Sequence, residues 1–187
     1  MRTRRTPIPL ALALTALLAG SAAAQEPAAI ERPEVDAFAF EHVLMLPGPP
    51  EEIYDAATGD ISGWWDHSLS GDPARLVLEP WPGGRFLEVF EEGSRDGVVH
   101  ATVTIAQRGE LLRFEGPLGL TGHAIHGVYT YRFEPAGDST RMTLSVRMAG
   151  EMADGWPEVV ERVWRHFIYD RFVPYVERGA HREEGDG

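Results

Sequence analysis

Cysteine and lysine are both missing from this 187-residue chain, so all 17 basic residues are arginine. Without a thiol there is no disulfide framework, no thiolate metal site and no cysteine nucleophile. Positive charge is scarce as well. The 17 arginines face 29 acidic residues, a formal charge of -12. That balance argues against a nucleic-acid partner, whose binding rests on neutralising phosphates. There is no H-E-x-x-H, no G-x-S-x-G, no phosphate-cradling glycine loop and no dinucleotide fingerprint. Gly83-Gly84 is too short for a nucleotide loop and falls at a turn, where glycine serves backbone geometry. No catalytic residue and no cofactor is assigned. What the chain does have is 43% hydrophobic and 10% aromatic residues, well outside the disordered range. Its length suits one domain, which at this size buries roughly 70% of its unfolded surface.

Residues 1–24 read as a secretory signal peptide. Arg2, Arg4 and Arg5 supply a positive start, 10–19 is an apolar run, and Ala22-Ala23-Ala24 offers a small-x-small cleavage pattern. The run is too short to span a bilayer, which needs about 20 residues. Thr6-Pro7 follows Arg4-Arg5 where a twin-arginine signal needs apolar residues, which favours the general export route. Leu18-Ala19-Gly20-Ser21 has serine where a lipidated cysteine would have to sit. The expectation is a periplasmic or secreted protein, cleaved near Ala24, without lipid and without a stable membrane anchor. The mature chain would carry 14 basic and 29 acidic residues, a balance that disfavours anionic membrane surfaces.

Residues 25–37 are rich in proline, alanine and glutamate and read as a flexible lead-in, and 179–187 as a polar tail. The domain is expected between them, over 38–178. Phe38, Phe40, His42 and Leu44 alternate with Ala39, Glu41, Val43 and Met45, which predicts a strand over 38–46. Pro49-Pro50-Glu51-Glu52 opens a short helix, because proline fits the first turn and acids suit the positive end of the dipole. Gly59 and Gly63 bracket a second brief helical turn that delivers Trp64 and Trp65. Strand-like runs follow at 75–79, 85–91, 98–107, 111–116, 127–134 and 140–148, the last two joined by a loop over 135–139. Val160, Val163, Trp164, Phe167 and Phe172 then recur at helical spacing across 158–178, with Pro174 expected to kink or end the last turn. The fold class is therefore α+β: a curved antiparallel sheet of about seven strands around a long C-terminal helix, with two short helices after the first strand.

Particular residues carry a family resemblance. The run from Leu46-Pro47-Gly48-Pro49-Pro50-Glu51-Glu52-Ile53-Tyr54-Asp55-Ala56 to Trp64-Trp65 resembles the opening of the START-like helix-grip (SRPBCC) superfamily. More narrowly it is similar to proteins related to the Hsp90 ATPase activator. Pro82-Gly83-Gly84-Arg85-Phe86, Leu111 to Gly119, and His126-Gly127-Val128-Tyr129-Thr130-Tyr131 with Asp138-Ser139-Thr140-Arg141 fit the same pattern. The resemblance covers about 38–178 and rests on the order and spacing of these motifs. It implies a helix-grip fold with a deep cavity for an apolar or amphipathic small molecule. Members range from carriers to cyclases, so fold does not give function. An exported protein meets neither cytosolic Hsp90 nor its ATP, and co-chaperone action is not expected.

Alternation selects the side chains that face the sheet's inner side. They are Tyr129, Tyr131 and Phe133 in one strand, Met142, Leu144 and Val146 in the next, Leu112 and Phe114 in a third, and Phe86 and Phe90 with Glu88 in a fourth. Trp64, Trp65, Trp164 and Phe167 line the helix side. These residues fill a solid core or border a partly open pocket, and the family's architecture favours the pocket. The expected ligand-binding set is Trp64, Trp65, Phe86, Phe114, Tyr129, Tyr131, Trp164 and Phe167, with the hydroxyls of Tyr129 and Tyr131 as polar handles. Gly127 shares their face and leaves space there. Glu88 is an inward acid or base if it keeps to that face, and a solvated acid if a bulge shifts the register; the surface position is expected. His100, His123 and His126 form a loose constellation, read as ordinary surface and strand-end histidines, and no metal set is assigned. The leading expectation is an exported domain that binds a small hydrophobic or amphipathic molecule without chemistry. The alternatives are a cyclase- or hydratase-type enzyme using cavity acids and tyrosines, and an envelope stress or interaction protein with a filled core.

Overall fold

Strand β1 (Val35–Pro47) leaves its edge through Gly48 into the short helix α1 (Pro50–Ala56). Pro50 stands in that helix's first turn with Glu51 and Glu52, where a missing N–H costs nothing and acids meet the positive dipole end. The computed structural model describes residues 30–183, so the expected signal peptide and residues 25–29 of the lead-in lie outside the described residues. Seven further strands follow: β2 (Gly59–Asp60), β3 (Arg75–Leu78), β4 (Arg85–Val89), β5 (Gly97–Gln107), β6 (Leu111–Gly116), β7 (Ile125–Ala136) and β8 (Ser139–Glu151). All pair antiparallel in the order β1-β8-β7-β6-β5-β4-β3-β2. Each strand from β2 onward lies beside its sequence neighbour, and β1 returns to pair with β8 over 13 residues. The chain ends in α2 (Trp156–Arg165), a π-helical segment (His166–Phe172), α3 (Val173–Glu177) and α4 (Ala180–Glu183). The class is α+β, a curved eight-stranded antiparallel sheet with a C-terminal helix, and it fits the helix-grip arrangement.

Several boundaries differ from expectation, each for a local reason. There are eight strands rather than seven, because Gly59–Asp60 adds a two-residue edge strand against β3. Only one helix follows β1: Trp64 and Trp65 sit on a turn closed by their N–H groups on the Ile61 carbonyl, at 3.1 and 2.8 Å. β1 begins at Val35, three residues inside the expected lead-in, because Val35–Pro47 pairs throughout with β8. The β7–β8 loop shrinks to Gly137-Asp138, since Ala136 and Ser139 already pair. Pro174 does not end the helix, which runs on to Glu177. The tail is not free either. His181 Nε2 lies 2.8 Å from Glu52 Oε1, and Arg182 Nη2 lies 2.7 Å from the same oxygen.

The inner face follows the alternation. Tyr129, Tyr131 and Phe133 on β7, Met142, Leu144 and Val146 on β8, and Leu112 and Phe114 on β6 are all buried. Phe90 is only half-buried, because β4 ends at Val89. Trp164, Phe167, Ile168 and Phe172 meet this face from the helix side and are buried with it. Among the described residues no helix is long and apolar enough to cross a membrane.

Candidate functional site: an apolar cavity under the C-terminal helix

Where α2 crosses the sheet the packing leaves a cavity of about 300 Å³. Val159, Val160, Val163, Trp164 and Phe167 form its helix side, and Phe86, His100, Tyr129 and Met148 its sheet side. Two loops make the rim, one at 67–69 and one at 118–120. Five of the eight expected residues are therefore brought together: Trp65, Phe86, Tyr129, Trp164 and Phe167. The Trp65 ring stacks on Phe167 at 3.8 Å and edges onto Phe86 at 4.9 Å, while Trp164 stacks on Tyr129 at 5.4 Å. Such contacts between rings add to the area they bury.

The other three stand one layer behind this wall. Phe114 stacks on the back of Tyr129 at 5.2 Å, Tyr131 meets Phe114 edge-on at 5.4 Å, and Trp64 meets Trp65 edge-on at 5.6 Å. The tyrosine hydroxyls do not serve the cavity as polar handles. Tyr129 donates to the Gly116 carbonyl at 3.3 Å, and Tyr131 is buried away from the lining with no hydrogen-bond partner for its hydroxyl among the described residues. Burial pushes both phenols far above their ordinary range. Gly127 offers no free space, because the Tyr129 ring folds directly over it and its hydroxyl occupies the place of any Cβ.

Glu88 overturns the surface expectation: it is fully buried. The bulge that the sequence left open does exist, but on β5. Phe86 pairs with Ala101 and Leu87 with Val99, so His100 is the extra residue between them. A bulge re-aims a side chain, and His100 turns inward beside Ala101 to meet Glu88. His100 Nε2 lies 2.8 Å from Glu88 Oε2. The same oxygen accepts the Leu69 N–H, and Oε1 accepts the Ser70 N–H, each at 2.8 Å. Burial alone would raise the Glu88 carboxyl, but these hydrogen bonds outweigh it and hold the group below its ordinary value.

On the other side of the ring the Gly119 N–H donates to His100 Nδ1 at 3.3 Å, which assigns the ring proton to Nε2. The Leu118 N–H meets the His100 carbonyl at 3.1 Å. Leu118 and Gly119 have φ of 37° and 67°, left-handed values that are costly for leucine. One buried pair thus ties both rim loops to the floor of the cavity. Sequence reasoning missed it because loops carry no period; the usable signal was Glu88 sharing a face with Phe86.

His123 and His126 are exposed, as read from the sequence, whereas His100 is buried rather than at the surface, and the three do not converge. His123 lies 3.7 Å from Glu151, His126 lies 3.6 Å from Glu115, and His100 belongs to Glu88. Among the described residues one group draws metal-type donors together, Asp66, His67 and His166.

No protein-family model and no curated sequence matches the chain. Solved structures resemble its fold. Protein SA2116 from Staphylococcus aureus, of unknown function, superposes with a TM-score of 0.57 at 15% identity, over 79% of this chain and 98% of its own. Mll3558 from Rhizobium loti gives 0.55 at 19% identity over 73% and 95%. MLL2253 from Mesorhizobium loti gives 0.52 at 15% identity over 76% and 98%. At these identities the likeness concerns the fold alone.

Proposed function

We propose that this chain is an exported helix-grip domain of the START-like class that binds one small hydrophobic or amphipathic molecule in the cavity beneath α2, without chemistry. The observation that carries the reading is a 300 Å³ opening walled by five aromatic rings and a row of valines. Close packing normally removes such space. An apolar cavity of about 150 Å³ holds a benzene, so this one suits a molecule of about two rings' bulk. His67 and Ser68 at the rim give an amphipathic guest a place for its polar end, in the way of pockets that are mostly apolar with a few placed polar groups. The inward groups favour binding over catalysis. Both ring nitrogens of His100 and both oxygens of Glu88 are engaged, and the Tyr129 hydroxyl is spent on a backbone carbonyl. Export rests on the pattern of residues 1–24.

The test is an apolar fluorescent probe on the native protein, paired with native mass spectrometry of material purified from the cell envelope. Binding at micromolar concentration, about 8 kcal/mol, is expected. Val160→Trp fills the cavity from the helix side and is expected to abolish binding while the fold survives. Absence of probe binding by folded wild type, or binding that Val160→Trp leaves intact, would sink the reading.

A further inference from the structure

At the mouth of the cavity the turn after Trp65 meets the start of the π-helical segment. Asp66 and His67 come from the turn and His166 from the segment. Each offers one ligand atom, and the three atoms lie within 4.8 Å of one another. We propose that Asp66, His67 and His166 bind a divalent transition-metal ion of the zinc class.

The donor set is right for such an ion, because two imidazoles and one carboxylate form a common three-ligand site that keeps further positions open. The spacing is right as well. His166 Nε2 stands 2.9 and 3.1 Å from the two Asp66 oxygens, and His67 Nδ1 stands 3.0 Å from Asp66 Oδ1. A tetrahedral ion with bonds of about 2.0–2.1 Å asks for ligand atoms about 3.4 Å apart, so the Asp–His spacings open slightly and the two histidine nitrogens, which lie within 4.8 Å, adjust to the same spacing. The ion takes the place of the protons now shared between imidazole nitrogens and carboxylate oxygens.

Two independent features point the same way. Asp170 Oδ2 lies 3.3 Å from His166 Nδ1, on the ring nitrogen opposite the cluster. A carboxylate behind a ligand imidazole is how metal sites fix the ring and raise its basicity. The His67 ring is steadied edge-on against Phe167 at 4.7 Å, and the same residue lines the cavity. Three protein ligands therefore leave the ion's remaining positions for water or for the polar end of a cavity occupant. Arg171 works against a cation, with Nε 3.2 Å from Asp66 Oδ2. Its side chain is 41% exposed, so it can swing into solvent when the ion enters.

The site stands whether or not the cavity takes a guest, and its test uses the metal alone. The chelator-treated full chain is titrated calorimetrically with Zn²⁺, and Co²⁺ is added separately to read the intense visible bands of a low-coordinate ion. A single saturable site is expected. Asp170→Asn, which removes only the carboxylate behind the ring, is expected to weaken it about 10–100-fold. His67→Ala and His166→Ala remove ligands and should weaken it further. Loss of binding in His166→Ala could come with a loosened loop. His67, with a side chain 54% exposed, therefore gives the variant that leaves the fold intact, as a circular dichroism melt will confirm. Arg171→Gln is expected to tighten the site by removing the opposing charge, and a His123→Ala/His126→Ala double variant to leave it unchanged. Absence of a one-site isotherm, or a one-site affinity that His67→Ala and Asp170→Asn leave untouched, would overturn the proposal.

Discussion

One sheet and one helix meet along the whole inner face, yet they close at one end and stay apart at the other. At the closed end Trp64 packs on Phe172 at 4.8 Å, Tyr54 meets Phe133 at 5.4 Å, and Tyr175 and Val176 are buried behind them. At the open end the sheet still offers large rings, Phe86 and Tyr129, but α2 answers with Val159, Val160 and Val163. The sheet's alternation is the same in both halves. The difference lies in the reach of particular helix side chains: Phe172 and Tyr175 fill the gap at the closed end, and Val159, Val160 and Val163 do not at the open one. Space in this protein is thus a property of one helical stripe.

The sharpest way to break that comparison is to truncate one residue in each half. Phe172→Ala should cost about 3–5 kcal/mol, because the surrounding rings relax only partly into the hole. Val163→Ala, beside space already present, should cost about 1 kcal/mol. Urea unfolding of the two variants measures the gap, and equal costs would show that the open half is as well packed as the closed one.

The floor of the open half comes next. Glu88→Ala strands the Leu69 and Ser70 N–H groups and the His100 ring in a buried place and should cost about 3–5 kcal/mol. It should also weaken probe binding, since both rim loops hang from this pair. A loss of stability with unchanged probe affinity would separate the rim from the floor.

Trp164 stands on the boundary between the halves. It is buried against Tyr129, Trp65 and Phe167, but one side faces the cavity. Trp164→Ala should therefore fall near the lower end of the usual range, about 3 kcal/mol. A value at or above that for Phe172→Ala would mean that Trp164 belongs to the closed half.

The smallest effect is a matter of pH. The folded Glu88 carboxyl titrates below its ordinary value of 4.5, so the folded state takes up its proton less readily than the unfolded chain. Its contribution is complete above about pH 4.5 and is lost as pH falls through the folded value. Melting temperature against pH should drop on that acid limb. Glu88→Gln should flatten the drop, and an unchanged limb would assign acid sensitivity to other carboxylates.

Much of the fold was legible because strands and helices have periods. The inward sets on β6, β7 and β8 and the Val160–Trp164–Phe167 stripe followed from alternation and helical spacing. What lay hidden had no period. β2 is two residues, Gly59 and Asp60, with nothing to alternate. The β5 bulge reverses the side on which His100 sits without any glycine or proline to announce it. His181 and Arg182 read as tail because their partner, Glu52, lies 129 and 130 residues away. Within the site, alternation told inner from outer but not front from back. Tyr129 and Tyr131 share a face, yet only Tyr129 borders the cavity, and of the two tryptophans on the turn only Trp65 does.

The π-helical segment makes the C-terminal end tolerant of one particular change in length. Its wider turn, marked by the Val173 N–H reaching back to the Ile168 carbonyl, holds one residue more than an α-helical turn needs. Removing one residue there, such as the exposed Tyr169, would let the turn tighten to ordinary helix while Tyr175 and Val176 beyond it keep their phase against the sheet. A deletion within α2, which has no spare residue, would instead turn every side chain beyond it by about 100° and swing Phe172, Tyr175 and Val176 off the closed half. The place of a missing residue, more than the loss itself, would decide whether the end of the molecule still fits.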